Sequence, residues 1–317
     1  MTESATGAPS ISVALCTYNG ERHLREQLDS VLAQDGVAIE LVAVDDGSSD
    51  GSRAILADYA ARDPRVRWQA NERNLGPTAS FERAMAACRG AYIAPCDQDD
   101  VWEPSKLARL LAAIGDADLV YCDSAYVDGD GRPLGRRVSG ENPMMQGTSA
   151  LGFLFANSVS GHASLLRRDL FEHARPFPAG AYHDWWLALC AAGRNGVRYV
   201  DAPLVRFRRH AEAFSPMGKG GSGGASRGAA ASRAWLEQRR VLMRAYAATA
   251  FHDRDIAAAL ADALGQALDG GPGGPLMRLL WRHRGKLPAW KGWPALDALR
   301  MQLRLAKKLR RARRAGG

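Results

Sequence analysis

Between residues 11 and 122 the chain alternates between two hydrophobic periods, and that alternation leaves few folds open. Short apolar, β-branched runs at 11–16, 39–44, 66–69, 92–95 and 119–122 read as buried strands. The segments between them, 21–34, 52–62, 78–88 and 104–114, carry apolar residues at helical spacing. Leu24, Leu28, Val31 and Leu32 mark the first, and Leu107, Leu110, Leu111 and Ile114 the last. Four strand–helix alternations predict an α/β fold, with a mostly parallel, Rossmann-like sheet flanked by helices. Right-handed crossovers then place the loop after every strand on one edge. In open α/β sheets that edge is where ligands sit.

Two of those loops are acidic. Asp45-Asp46-Gly47-Ser48-Ser49-Asp50 follows the second strand, and Asp97-Gln98-Asp99-Asp100 follows the fourth. Packed carboxylates repel unless something neutralises them, so the second cluster invites a divalent cation. The first also fits a turn and a helix cap. Side by side they would form a metal- and nucleotide-binding crevice.

Beyond residue 123 the pattern is mixed. Asp128-Gly129-Asp130-Gly131 reads as a hairpin turn. A strand is expected at 161–167, short helices at 168–173 and 184–192, and short strands at 197–200 and 204–208. A Gly/Ser-rich loop at 218–228 precedes an Ala-rich helical stretch, 229–268, and the glycines and prolines of 270–275 break it.

Charge is unevenly placed. The whole chain carries +8, yet residues 276–317 hold 13 Lys/Arg against one Asp, a local +12, which leaves −4 for the rest. In this tail Trp281, Trp290, Trp293, Leu299, Leu303 and Leu305 stand among arginines and lysines. That pattern suits a helix lying on an anionic membrane surface, or a solvated basic extension. Charge alone would also allow nucleic acid, but no fold for it is recognisable, and none is expected as a partner. Five cysteines, an odd number with no C-x-x-C pair, read as reduced buried thiols in a reducing compartment. Neither a signal peptide nor a membrane span is expected.

Several stretches, taken in order, resemble the family 2 glycosyltransferases, which have the GT-A fold. They are Val13-Ala14-Leu15-Cys16-Thr17-Tyr18-Asn19-Gly20, Val44-Asp45-Asp46-Gly47-Ser48-Ser49-Asp50, Asn74-Leu75-Gly76 and Asp97-Gln98-Asp99-Asp100-Val101-Trp102. His183-Asp184-Trp185-Trp186 and Phe207-Arg208-Arg209-His210 complete the series. The resemblance covers roughly residues 10–215. Its His-Asp-Trp-Trp form is most similar to the rhamnosyltransferase-like branch.

The resemblance implies inverting, metal-dependent transfer of a sugar, with rhamnose a candidate. The donor would be a nucleoside diphosphate sugar, and the acceptor a hydroxyl of a polysaccharide or lipid-linked glycan. Thr17, Tyr18, Asn19, Asp45, Asp46 and Asn74 would hold the nucleotide. Asp97 and Asp99 fall on the family's Asp-x-Asp, with Asp100 beside them, as ligands for Mg2+ or Mn2+. His210 would add a third ligand, although Ala211-Glu212-Ala213 departs from the small residue and asparagine usual after it. Asp184 falls on the catalytic base, and Trp185 and Trp186 would stack on a sugar. A single carboxylate facing the anomeric carbon, with no second nucleophile, implies one displacement and hence inversion. Neighbouring indoles would raise the pKa of Asp184 and a helix start would lower it, so the sequence leaves both open.

The implied organisation is a GT-A domain over 1–217, with a nucleotide-sugar half at 10–123 and an acceptor half at 124–217. The 218–228 loop and a helical extension over 229–317 follow. The implied location is cytoplasmic, peripheral at the inner face of the plasma membrane. Two rivals stand beside this reading. A sugar nucleotidyltransferase would need basic side chains in a Gly-rich phosphate loop, and Thr17-Tyr18-Asn19-Gly20 offers none. A non-catalytic nucleotide-sugar binding or assembly protein would bind donor without turnover.

Overall fold

A computed structural model describes residues 10–209, 228–287 and 294–313. The first half follows the expected alternation. β1 (Ile11–Thr17), α1 (Glu21–Leu32), β2 (Ile39–Asp45), α2 (Ser52–Arg62), β3 (Val66–Ala70), α3 (Pro77–Ala87) and β4 (Tyr92–Cys96) build four parallel strands in the order β3-β2-β1-β4. Strand periodicity divides their side chains between two cores. Ile11, Val13 and Leu15 pack on one face with Leu24, Leu28 and Leu56, while Ala14, Val42 and Val44 pack on the other with Phe81 and Met85.

After β4 the sheet becomes mixed. The next elements are β5 (Val101–Trp102), α4 (Lys106–Ile114), β6 (Leu119–Val127), β7 (Pro133–Arg137), α5 (Ala150–Phe153), β8 (Ser164–Arg167), α6 (Arg168–Ala174), α7 (His183–Ala192) and β9 (Val197–Arg208). The 119–122 run is not the next parallel neighbour of β4. β8 lies between them, antiparallel to both. The expected turn closes the β6–β7 hairpin, with Asp128 N donating to Arg132 O at 2.9 Å. The two short strands expected at 197–208 are one strand, β9, parallel to β6. Its register shifts where Pro203 stands opposite Asp123, because proline cannot donate to the ladder.

Among the described residues the helical extension forms four α-helices: α8 (Ala229–Ala247), α9 (Arg254–Leu268), α10 (Gly274–Arg282) and α11 (Pro294–Arg313). The stretch expected as one helix over 229–268 breaks near residue 250. Tyr246 Oη donates to His252 O at 2.6 Å, and Asp253 adopts a left-handed φ of 64°. Leu236, Met243, Tyr246, Leu260 and Leu264 share one apolar cluster with Leu151, Leu187 and Leu189 of the sheet domain. In α11, Met301, Leu305, Leu309 and Ala312 are buried in that cluster. The apolar face expected on a membrane is therefore largely spent inside the protein, and of the tail's described large apolar residues Trp281, Leu299 and Leu303 stay exposed. Among the described residues no helix is long and apolar enough to cross a membrane. The 218–227 part of the Gly/Ser-rich loop, Trp290 and Trp293 lie outside the described residues. All five cysteines are free, as expected.

Candidate active site

Parallel register sets the edge of the crevice. Thr17 pairs with Asp45 and Leu15 with Cys96, so the loops after β1, β2 and β4 leave the sheet side by side. Gln98, which the sequence reading left without a role, clasps the first loop. Its Oε1 accepts from Thr17 Oγ1 and Tyr18 N, both at 2.7 Å, and its Nε2 donates to Tyr18 O at 3.2 Å. A Cβ at Gly20 would collide with Gln98. Asn19 holds a left-handed φ of 50°, which asparagine tolerates. Its N–H donates to Ser48 Oγ and its Oδ1 accepts from Ser49 N, each at 2.9 Å. The backbone is fixed while the Tyr18 ring stays half-exposed, free to meet a flat ligand.

Asp45 and Asp46 are both buried and do different work. Asp45 Oδ1 accepts from Ser48 N at 3.0 Å and Arg53 Nε at 2.7 Å, whereas its buried Oδ2 has no partner. A ligand hydroxyl or N–H would satisfy that oxygen. Asp46 is occupied by its own chain. Oδ1 accepts from Asn71 Nδ2 at 2.7 Å and Leu75 N at 2.8 Å, and Oδ2 from Gly76 N at 2.9 Å. It orders the loop that presents Asn74, whose Oδ1 also accepts from Gly76 N at 3.1 Å.

The acidic loop after β4 meets a residue that sequence reasoning missed, His162. Its Nδ1 lies 3.5 Å from Asp97 Oδ2 and 3.4 Å from Asp100 Oδ2, and its Nε2 bonds Ser124 Oγ at 3.1 Å. β8 places it there. Tyr92 pairs with Arg167 and Ile93 with Leu166, and that register, continued, sets His162 opposite Asp97. No local spacing signals this. Asp97, Asp100 and His162 can offer ligand atoms all within 4.8 Å of one another. Asp99, expected among the ligands, is outside that group, and its backbone carbonyl accepts from Arg208 Nε at 2.9 Å. His210 lies outside the described residues.

The electrostatics of this group suit a divalent cation. Burial and the charges of Asp99 and Asp97 push Asp100 up to about 7 despite His162. Burial would also raise Asp97, but the His162 hydrogen bond and charge outweigh it and hold that carboxyl low. Burial would lower His162, yet Asp100 and Asp97 raise it overall. Asp100 Oδ2 is buried with no hydrogen-bond partner. Two carboxylates suit Mg2+ or Mn2+, and the imidazole nitrogen tilts the set toward a transition metal. Lys106, also unforeseen, supports the turn from behind. It is fully buried, its Nζ donates to His162 O at 2.5 Å and sits 3.1 Å from the Trp102 ring centre, and burial lowers its pKa to about 8.

The facing wall is the first turn of α7. Buried His183 stacks on Phe81 with ring centres 3.9 Å apart, and a Cβ at Gly161 would lie 2.6 Å from its Nε2. The turn bearing Asp184 thus packs directly on the turn bearing His162. Burial lifts Asp184 above the ordinary aspartate range, against the pull of His183 and of the Trp185 N–H, which donates to its Oδ1 at 2.6 Å. Burial therefore wins over the helix start. The tryptophans are not free stacking platforms. Trp186 is a core residue whose Nε1 donates to Ala174 O at 2.7 Å, and that burial removes it from any sugar contact. Trp185 donates to Phe153 O and has the Arg239 guanidinium over its ring at 3.5 Å.

A crevice at the strand ends carrying an acidic cluster, with a half-buried aspartate on a neighbouring helix, is compatible with the class of sugar-transferring enzymes, and the sequence comparisons establish that class. The profile described as Glycosyl transferase family 2 matches residues 12–175, and the chain belongs to that family. It is 29% identical over 213 residues to the uncharacterized glycosyltransferase alr2836 of Nostoc sp., covering 63% of this chain and 65% of that protein. It is 30% identical over 212 residues to the putative glycosyltransferase EpsH of Bacillus subtilis, covering 64% and 61%. The match thus spans less than two thirds of the length of either relative. Among solved structures, residues 1–349 of S. aureus TarS with UDP-GlcNAc superpose with a TM-score of 0.61 at 17% identity, covering 96% of this chain and 89% of that one. The mannosyltransferase PcManGT of Pyrobaculum calidifontis, with GDP-Man and Mn2+, gives 0.50 at 16%, covering 95% and 81%. At such identity these two establish the GT-A fold.

Proposed function

We propose that the protein transfers a sugar, with inversion, from a nucleoside diphosphate sugar to a hydroxyl of a glycan, and that Asp184 is its general base. One observation carries this reading: Asp184, with its pKa raised by burial, stands on a turn packed against the His162 turn of the Asp97–Asp100–His162 group. Asp184 takes the acceptor proton as its oxygen attacks, a role generally giving about 10²–10⁴-fold. Thr17, Tyr18, Asn19 and Asp45 hold the nucleoside, and Asp46 shapes the Asn74 loop around it. Asp97, Asp100 and His162 would hold Mg2+ or Mn2+, which would offset the charge developing on the leaving diphosphate.

Residues 1–217 would form the transferase body, and 229–317 an extension against its acceptor half. Rhamnose remains the candidate sugar on the strength of the His183-Asp184-Trp185-Trp186 motif. For membrane contact the support is Trp281, Leu299 and Leu303, exposed beside basic residues of the tail. The test is a panel of nucleoside diphosphate sugars with Mn2+, read by thermal shift and by transfer. Asp184→Asn should keep donor affinity within about twofold and lose at least about a hundredfold in transfer. Full transfer by Asp184→Asn would remove the base assignment, and stabilisation by no donor would remove the function.

A further inference from the structure

Where α8 meets the start of α7, a cation lies buried with no carboxylate partner among the described residues. Arg239 is 3% exposed. Its guanidinium stacks on Trp185 at 3.5 Å and lies 5.1 Å from the Trp235 ring centre. Its Nε has no hydrogen-bond partner, and Nη2 has only Gln238 Oε1 at 3.3 Å. Lys308 of α11 sits 4.6 Å from the other aromatic wall, Trp235. Among the described residues neither cation pairs with a carboxylate, although the nearby Arg240 and Arg233 both pair with Glu237. Burial lowers the Arg239 pKa to about 9, and Arg239 and Arg311 help burial to lower that of Lys308. Arginine still stays charged at neutral pH, and an uncompensated buried charge is rare because it is costly. Cation–π contact with two indoles offsets part of that cost, but satisfies none of the guanidinium's fork of donors.

The place of this cation matters. Arg239 lines a pocket with Gly180, Ala181, Tyr182, Trp185 and Leu242. Gln238 Nε2 reaches Gly180 O at 3.4 Å, and Thr78 Oγ1 donates to Ala181 O at 2.8 Å, so α8 and α3 both anchor the segment leading into Asp184. The nucleotide loops lie at the ends of β1 and β2. The pocket adjoins the segment that carries the proposed base, between Tyr182 and Trp185 on one side and Gln238, Arg239 and Leu242 of α8 on the other.

We propose that Arg239, aided by Lys308, forms an oxyanion subsite for the acceptor, and that the acceptor carries a phosphate or carboxylate close to the hydroxyl that receives the sugar. A guanidinium matches either group with paired N–H···O bonds. The −4 body with a +12 tail would steer such an acceptor to this side of the molecule. The proposal rests on the transferase reading and makes the extension part of the substrate site.

The test uses the full chain and four probes: glycerol 1-phosphate and methyl β-D-glucuronide, with glycerol and methyl β-D-glucoside as uncharged counterparts. Binding is read by calorimetry, with UDP, GDP and dTDP plus Mn2+ titrated separately. The charged probes should bind at least about tenfold more tightly than the uncharged ones. Phosphate against glucuronide then identifies the anion. Arg239→Gln should lose that preference, and Lys308→Met, which leaves the buried pocket intact, should weaken it, both with nucleotide affinity unchanged. Equal binding of charged and uncharged probes overturns the subsite, as does an unchanged preference in both variants. So does anionic-vesicle binding, lost in both variants, without small-probe binding, because it assigns the cations to a membrane. If no nucleotide binds while the oxyanion preference holds, the subsite stands and the donor reading falls.

Discussion

Replacing Asp46 with asparagine separates two roles that its motif leaves tangled. A ligand-binding carboxylate is expendable to the empty protein, whereas a loop-ordering one is not. The buried Asp46 carboxylate accepts three hydrogen bonds, from Asn71 Nδ2, Leu75 N and Gly76 N, at 2.7, 2.8 and 2.9 Å. An asparagine in its best orientation keeps the two at Oδ1. Both then fall from charge-assisted strength, about 1.5–3 kcal/mol, to the neutral range, about 0.5–1.5 kcal/mol. Its amide –NH2 takes the place of Oδ2 and faces the Gly76 N–H, donor against donor. A stranded donor costs about 1–3 kcal/mol when buried, and the partial exposure of Gly76 together with the remaining bond from its N to Asn74 Oδ1 at 3.1 Å puts this case at the lower end. The sum is about 3 kcal/mol, a large share of the about 5–15 kcal/mol that holds a domain together. Urea unfolding of the ligand-free protein followed by far-UV circular dichroism measures it, as a lower midpoint with an unchanged m-value. Ligand-free stability within about 0.5 kcal/mol of wild type would refute the reasoning and return Asp46 to the nucleotide site.

Three further outcomes are expected. Glu40 accepts from Ser12 Oγ, Arg89 N and Arg67, which together outweigh desolvation and hold its pKa below the ordinary value. A depressed carboxylate stabilises the fold above its unfolded pKa, about 4.3, and loses that contribution as pH falls toward the folded value. Wild type should therefore shed more stability than Glu40→Gln on going from about pH 6 to about pH 3, and parallel melting-temperature curves would count against the sign. Leu305→Ala, in the buried face of α11, should cost about 2–5 kcal/mol, and Leu303→Ala, 60% exposed, under about 0.5 kcal/mol. Equal small effects in chemical denaturation would mean that the face is not packed as described. Arg208→Met removes the bonds to Asp99 O at 2.9 Å, Gly129 O at 3.1 Å and Glu26 Oε2 at 2.6 Å, and should weaken Mn2+ binding by about tenfold in a calorimetric titration. Unaltered affinity would detach Arg208 from the acidic loop.

What the sequence disclosed, and what it hid, divides by how contacts are specified. β1 to β4 declare themselves because each strand and helix carries its own period. The handed crossover between them is a general rule, so Thr17, Asp45 and Cys96 could be set on one edge without coordinates. Asp184 was singled out as a candidate through its motif. Gln98, Lys106, His162 and Arg239 were not, since each acts through a partner 50 or more residues away with no periodic trace between them. The same holds for Trp186. A tryptophan beside a proposed base reads as a sugar platform until its indole is found bonding Ala174 inside the core.

The antiparallel strands show why this division falls where it does. A parallel βα unit specifies its own neighbour, but β8 reaches β4 only after some 67 intervening residues, and it must slip between β4 and β6. That insertion fixes the site. The β4–β8 register carries His162 to Asp97. By the same logic, the pairing of Val101 with Arg206 brings Arg208 opposite Asp99, where its N–H reaches Asp100 Oδ1 at 3.1 Å. The acidic loop is thus legible as a cluster of charges, yet its geometry is set by two antiparallel pairings that no local pattern announces. Substitutions that loosen β8 should therefore disturb the Asp97–Asp100–His162 group before they disturb the loop after β2, a strand held by its parallel neighbours β1 and β3.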